Sequence, residues 1–76
     1  MRIPVVNLKQ TGQNIYKLRE QAGISVRELQ GLLGFATPQA IYKWQRGDSL
    51  PTVDNLVALS AIFSVPVDCI LSVSLQ

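Results

Sequence analysis

The chain has 76 residues, a net charge of +2, one cysteine and no histidine. That allows a single small domain with a modest core and excludes an intramolecular disulfide and the usual Cys/His zinc spacings. Hydrophobic content of 47% is high for so short a chain, so part of it is expected to stay exposed unless a second subunit covers it.

Charge is distributed unevenly. All seven basic residues and two acids precede Gly47, whereas three acids and no base follow it. A basic half beside an apolar, weakly acidic half fits a polyanion on one side, although an ordinary solvated surface gives the same count. Met1–Lys9 lacks the apolar core of a signal peptide, and the charge-free run 55–67 is too short and polar to span a membrane. A soluble, cytoplasmic protein is expected, with Cys69 a small buried apolar residue.

Residues 1–10 read as an extended arm, because Pro4, Val5 and Val6 disfavour helix, and residues 11–76 as one domain. The first helix is expected to start at Thr11 as N-cap and to bury Ile15, Leu18 and Ala22, with Gly23 as its stop. Ser25 opens the second through a capping box with Glu28; Leu29 and Leu33 face inward and Gly34 ends it. After the short link Gly34–Ala36, Thr37 is expected to cap a third helix with Pro38 at its first position, ending at Arg46 before Gly47. Ile41 and Trp44 point inward. Thr52 caps a fourth helix whose apolar face is Val53, Leu56, Leu59, Ile62 and Phe63, and a short fifth helix covers about 67–72. No strand is expected, and the fold class is all-α.

Two short helices joined by a tight turn form a helix-turn-helix. On the third helix Gln39, Tyr42, Lys43 and Arg46 share the face opposite Ile41 and Trp44. Such a face suits the major groove, where Gln pairs with adenine and Lys donates to guanine. It is also what a merely solvated helix presents, and periodicity does not choose between them. On the groove reading Gln39 and then Lys43 reach bases, while Tyr42 and Arg46 reach the backbone. Thr37 and the first-turn amides can bond phosphate. Further phosphate candidates are Ser49, Arg27 and Lys17, with Arg2 and Lys9 on the arm.

Residues 14–71 resemble the lambda repressor/Cro-type (XRE-like) helix-turn-helix domain of bacterial and phage regulators. The resemblance rests on the order and spacing of Leu18-Arg19, Gly23-Ile24-Ser25, Glu28-Leu29, Leu33-Gly34, Ile41–Gly47, Leu50-Pro51-Thr52 and Leu56–Val65. It implies a compact five-helix fold, operator binding as a repressor, a homodimer, and base readout at Pro38, Gln39, Ala40 and Lys43. The chain departs from the pattern at Val26, Gln30 and Gln45; the last leaves Arg19 only a neutral partner.

Val57, Ala58, Ala61, Val73 and Leu75 lack a core role in this reading and form a candidate dimer patch. The competing function is a protein-interaction module on the same fold, antitoxin-like, whose apolar half holds a protein partner. No enzyme is expected: there is no histidine, no convincing carboxylate pair and no phosphate-binding glycine loop. No cofactor or metal is expected either.

Overall fold

The structure, a computed structural model, describes residues 1–75. Four α-helices follow a short strand: β1 (Pro4–Val6), α1 (Leu8–Gln21), α2 (Val26–Leu33), α3 (Gln39–Arg46) and α4 (Val53–Phe63). A single 3-10 turn (Val67–Cys69) leads to β2 (Val73–Leu75), which pairs antiparallel with β1, Pro4 opposite Leu75 and Val6 opposite Val73. Among the described residues no helix is long and apolar enough to cross a membrane.

The core is one cluster with at least one residue from each helix: Ile15, Leu29, Ile41, Trp44, Leu59 and Phe63, closed by Ile70. Phe35, from the link between α2 and α3, meets Trp44 edge-on with ring centroids 5.8 Å apart. Offset or edge-on contact is the preferred arrangement of aromatic rings. The closest helix approach is α1 on α3. Gly12 is buried there, and a Cβ on it would run into the carbonyl oxygens of Trp44 and Gln45. Gly47 ends α3 at φ 81° with its α-carbon against Lys9, where a Cβ would lie 2.8 Å from the Lys9 α-carbon. Only glycine meets both demands at that position.

Several expectations are corrected. The fifth helix is a three-residue 3-10 turn, so the described residues form four α-helices rather than five. Extended structure does exist. The expected arm is extended only at 4–6, where it is hydrogen-bonded into a ribbon, and α1 begins at Leu8 with Asn7 as its cap. Thr11 is instead buried inside α1, and its hydroxyl accepts from the Ser72 amide at 3.0 Å. A tertiary contact therefore claims the side chain that local capping rules assigned to the helix start. Ala22 and Cys69 are exposed, and Val53 is 75% exposed because α4 turns its Leu59–Phe63 stripe inward. Val73 and Leu75 form a strand rather than trailing a helix. The capping box is as read: Glu28 N–H donates to the Ser25 hydroxyl at 3.0 Å, and the Ser25 amide donates to the Glu28 carboxylate at 3.1 Å.

Candidate nucleic-acid interface

α3 is anchored from one side only. Ile41 and Trp44 are buried, and Gln39, Tyr42, Lys43 and Arg46 are left on the opposite face, all exposed. These four line a shallow groove of about 250 Å³. A second, wider groove of about 490 Å³ lies between α2 and the start of α3, lined by Val26, Arg27, Gln30, Gly31, Pro38 and Tyr42. Tyr42 lines both, so the two grooves adjoin along α3.

The start of α3 differs from expectation. Its N-cap is Pro38, not Thr37, and no side chain caps the first turn. The link from α2 runs over residues 34–38, longer than the three residues read from the sequence. The Thr37 side chain is exposed and makes no capping bond there. A first turn of helix without a side-chain partner keeps its amides available to an anion.

Gln30 braces this link. Its side-chain amide donates to the Phe35 carbonyl at 3.2 Å, while the Phe35 amide donates to the Gln30 carbonyl at 3.0 Å. In sequence Gln30 stands out only as a departure from the family pattern; the signal of its bracing role is an amide side chain one turn before a glycine stop. Val26, the other departure on α2, is half-buried and forms part of the wider groove wall.

Arg19, bonded to α3, and Arg46, at its end, have different fates. Arg19 is 8% exposed. Its Nε–H donates to Gln45 Oε1 at 3.0 Å and its Nη1 donates to the Ile24 carbonyl at 2.9 Å. The guanidinium also sits 5.2 Å from the Tyr16 ring centre and 3.7 Å from Glu20. Arg19 thus ties α1 to α3 and to the α1–α2 turn, through a neutral partner on α3. Arg46 is exposed and held by Asp48, Nε to Oδ2 at 2.9 Å. That pairing was not read from the sequence. Residues two apart do not face each other along a helix; the left-handed Gly47 between them folds the chain back and brings them together.

Of the remaining candidates, Ala40 is half-buried against the core and Pro38 lies in the wall of the wider groove. Arg27 lines the wider groove, Ser49 is half-buried just beyond α3, and Lys17 is exposed on α1, outside both grooves. The Ser25 amide, then the Ser25 hydroxyl, hold the Glu28 carboxyl below the ordinary glutamate value.

A buried apolar edge, a capped second helix and an outward polar face on the third define a helix-turn-helix protein. Residues 15–68 match the helix-turn-helix family model of the XRE type, and the chain belongs to that family, which places it among DNA-binding transcriptional regulators and not enzymes. Three solved structures share its fold. The restriction-modification controller protein C.AhdI from Aeromonas hydrophila has a TM-score of 0.73 at 22% identity, over 83% of this chain and 94% of that one. The DNA-binding domain of BldD from S. venezulae has a TM-score of 0.72 at 27% identity, over 87% and 97%. The clp gene regulator ClgR from C. glutamicum has a TM-score of 0.73 at 17% identity, over 87% and 84%. No curated protein sequence matches the chain.

Proposed function

We propose that the chain is a sequence-specific repressor that lays α3 in the major groove of an operator and binds as a homodimer. The observation that carries this is the convergence of Gln39, Tyr42, Lys43 and Arg46 on one exposed face of a helix whose other face is locked into the core. Gln39 and Lys43 read base edges; Pro38 and Ala40 contribute apolar contact alone, since neither side chain can hydrogen-bond. Thr37, Tyr42, Arg46, Ser49, Arg27 and Lys17 contact the sugar–phosphate strand, which in this arrangement crosses the wider groove beside Arg27. The names of the structural neighbours, a controller protein and a gene regulator, fit a regulatory role.

With two readers per copy, useful specificity requires two copies. A dimer places half-sites one helical turn apart, about 34–36 Å. Selection from random duplex DNA, read by sequencing, is expected to enrich a palindrome with that spacing. Gln39→Ala and Lys43→Ala should each weaken binding to the selected site by about 1–3 kcal/mol while leaving random-duplex binding less affected. Absence of enrichment at low salt overturns the reading.

A protein-interaction role is favoured by one observation, the exposed apolar surface of α4 at Val57 with Ala61 beside it. Val57→Asp abolishing capture of a protein partner, with no operator found, would establish that role instead.

A further inference from the structure

A two-stranded ribbon is marginal on its own in water and normally gains a further strand or a covering helix. β1 and β2 make such a ribbon, and the direction of its free backbone groups follows from one hydrogen bond. The Asn7 amide donates to the Ser72 carbonyl at 2.8 Å, one step past the ladder in the same register. Antiparallel pairs alternate between hydrogen-bonded and non-hydrogen-bonded. Asn7–Ser72 being of the first kind, Val5–Ser74 is also of the first kind, and Pro4–Leu75 and Val6–Val73 are of the second. The backbone groups of Pro4, Val6, Val73 and Leu75 therefore point away from the ribbon, on its two outer edges.

The two edges are not equivalent. On β1 the outward position at Pro4 has no N–H, which blunts that edge. On β2 both outward residues, Val73 and Leu75, carry a donor and an acceptor, and among the described residues neither bonds a group outside the ribbon. No charge and no proline guards β2, although charges and prolines are the usual protections of a free edge. The side chains of Val73 and Leu75 are 53% and 58% exposed.

We propose that the outer edge of β2 is the seam of the homodimer, paired antiparallel with β2 of a second copy. The inference rests on the dimeric reading above and names its interface. The edge is self-complementary. A two-fold axis at Ser74 sets Val73 opposite Leu75 of the other copy, twice, so all four outward donors and acceptors of each strand are used in four N–H···O bonds. Ser74 then faces its own counterpart as a non-hydrogen-bonded pair. The product is a four-stranded sheet in the order β1-β2-β2-β1. One of its faces is wholly apolar, built from Pro4, Val6, Val73 and Leu75 of both copies. The seam is neutral, so two net-positive chains meet where neither carries charge.

The test uses the register. A non-hydrogen-bonded pair has α-carbons about 4.5 Å apart, within the disulfide range. With Cys69→Ser as background, Ser74→Cys is expected to cross-link to itself under mild oxidation. It should do so far faster than Gln21→Cys, an exposed position on α1. Leu75→Pro removes an outward donor and no bond of the β1–β2 ladder. It should weaken association at least tenfold by sedimentation while helical circular dichroism stays unchanged. A dimer that survives Leu75→Pro, fails to cross-link at Ser74→Cys and is lost in Val57→Asp overturns this seam and keeps the dimer. A chain that remains monomeric at high micromolar concentration overturns both, whatever its DNA binding.

Discussion

Arg19 and Arg46 carry the same guanidinium into opposite circumstances. The first is withdrawn from solvent as a tie between helices, and it is removed from the pool of cations available to a polyanion. The second stays on the exposed face of α3 with Asp48 as its partner. An exposed ion pair is weak, and a phosphate competes for the same guanidinium. Asp48→Asn is therefore expected to raise DNA affinity roughly two- to fivefold. It should also steepen the dependence of log affinity on log salt by about 0.9 if it frees one phosphate contact; a salt titration followed by fluorescence anisotropy measures both. In an Arg46→Gln background the gain should vanish. At Glu28 the sign works through protons. Its carboxyl has a lowered pKa in the folded chain, so its ionised form supports the fold above the unfolded-state pKa, and that support is lost as pH falls through the folded pKa. The stability difference between the parent and Glu28→Gln should be full near neutral pH and close in acid, as urea midpoints across that range will show.

At the scale of elements, the junction of α1 with α3 is the least forgiving. Gly12→Ala forces a methyl group into helix backbone rather than into a flexible side chain. It is expected to cost about 2 kcal/mol or more in urea unfolding. The end of α4 works in the other direction. Ser64 adopts a left-handed conformation at φ 55°, the one non-glycine residue with positive φ among those described. Ser64→Gly should stabilise the chain by up to about 1 kcal/mol. The helices were legible because their signals are local. Ser25 with Glu28, Thr52, and the glycines after α2 and α3 act within a turn of where they stand. Ile41 and Trp44 on one side of α3, and Gln39 with Lys43 on the other, followed from period alone. What escaped the sequence is non-local. Three-residue strands have no periodicity to detect, and their pairing joins residues about 70 positions apart. Thr11 had a good capping side chain, but the Ser72 amide claimed it. Arg46 and Asp48 meet only because Gly47 reverses the chain between them.

For the whole molecule, the uneven charge sets the response to salt. All the cations lie at or before the end of α3, and the β2 edge carries none. Two copies each offering Arg27, Arg46 and Lys17 to phosphates, six cationic contacts in all, should lose roughly 10³-fold in operator affinity between 50 and 200 mM salt. Association through a neutral seam should barely change over the same range. Operator binding and sedimentation run side by side in both buffers separate the two dependences.

The β1–β2 ribbon has one more consequence, and it concerns time. Of the pairings described, it closes the longest loop in the chain, from Pro4 to Leu75. Contacts of such separation form late, since the entropy of closing the loop is lost before the contact repays it. The helices can collapse on Ile15, Leu29, Ile41 and Leu59 with both ends still loose. The ribbon then joins last, and by the same reasoning opens first. Among hydrogen-bonded backbone amides, exchange should be fastest at Val5 and Ser74 and slowest in the buried turns of α1 and α3. An unfinished chain thus lacks an ordered β2 edge, so on the proposed seam only completed copies are able to pair.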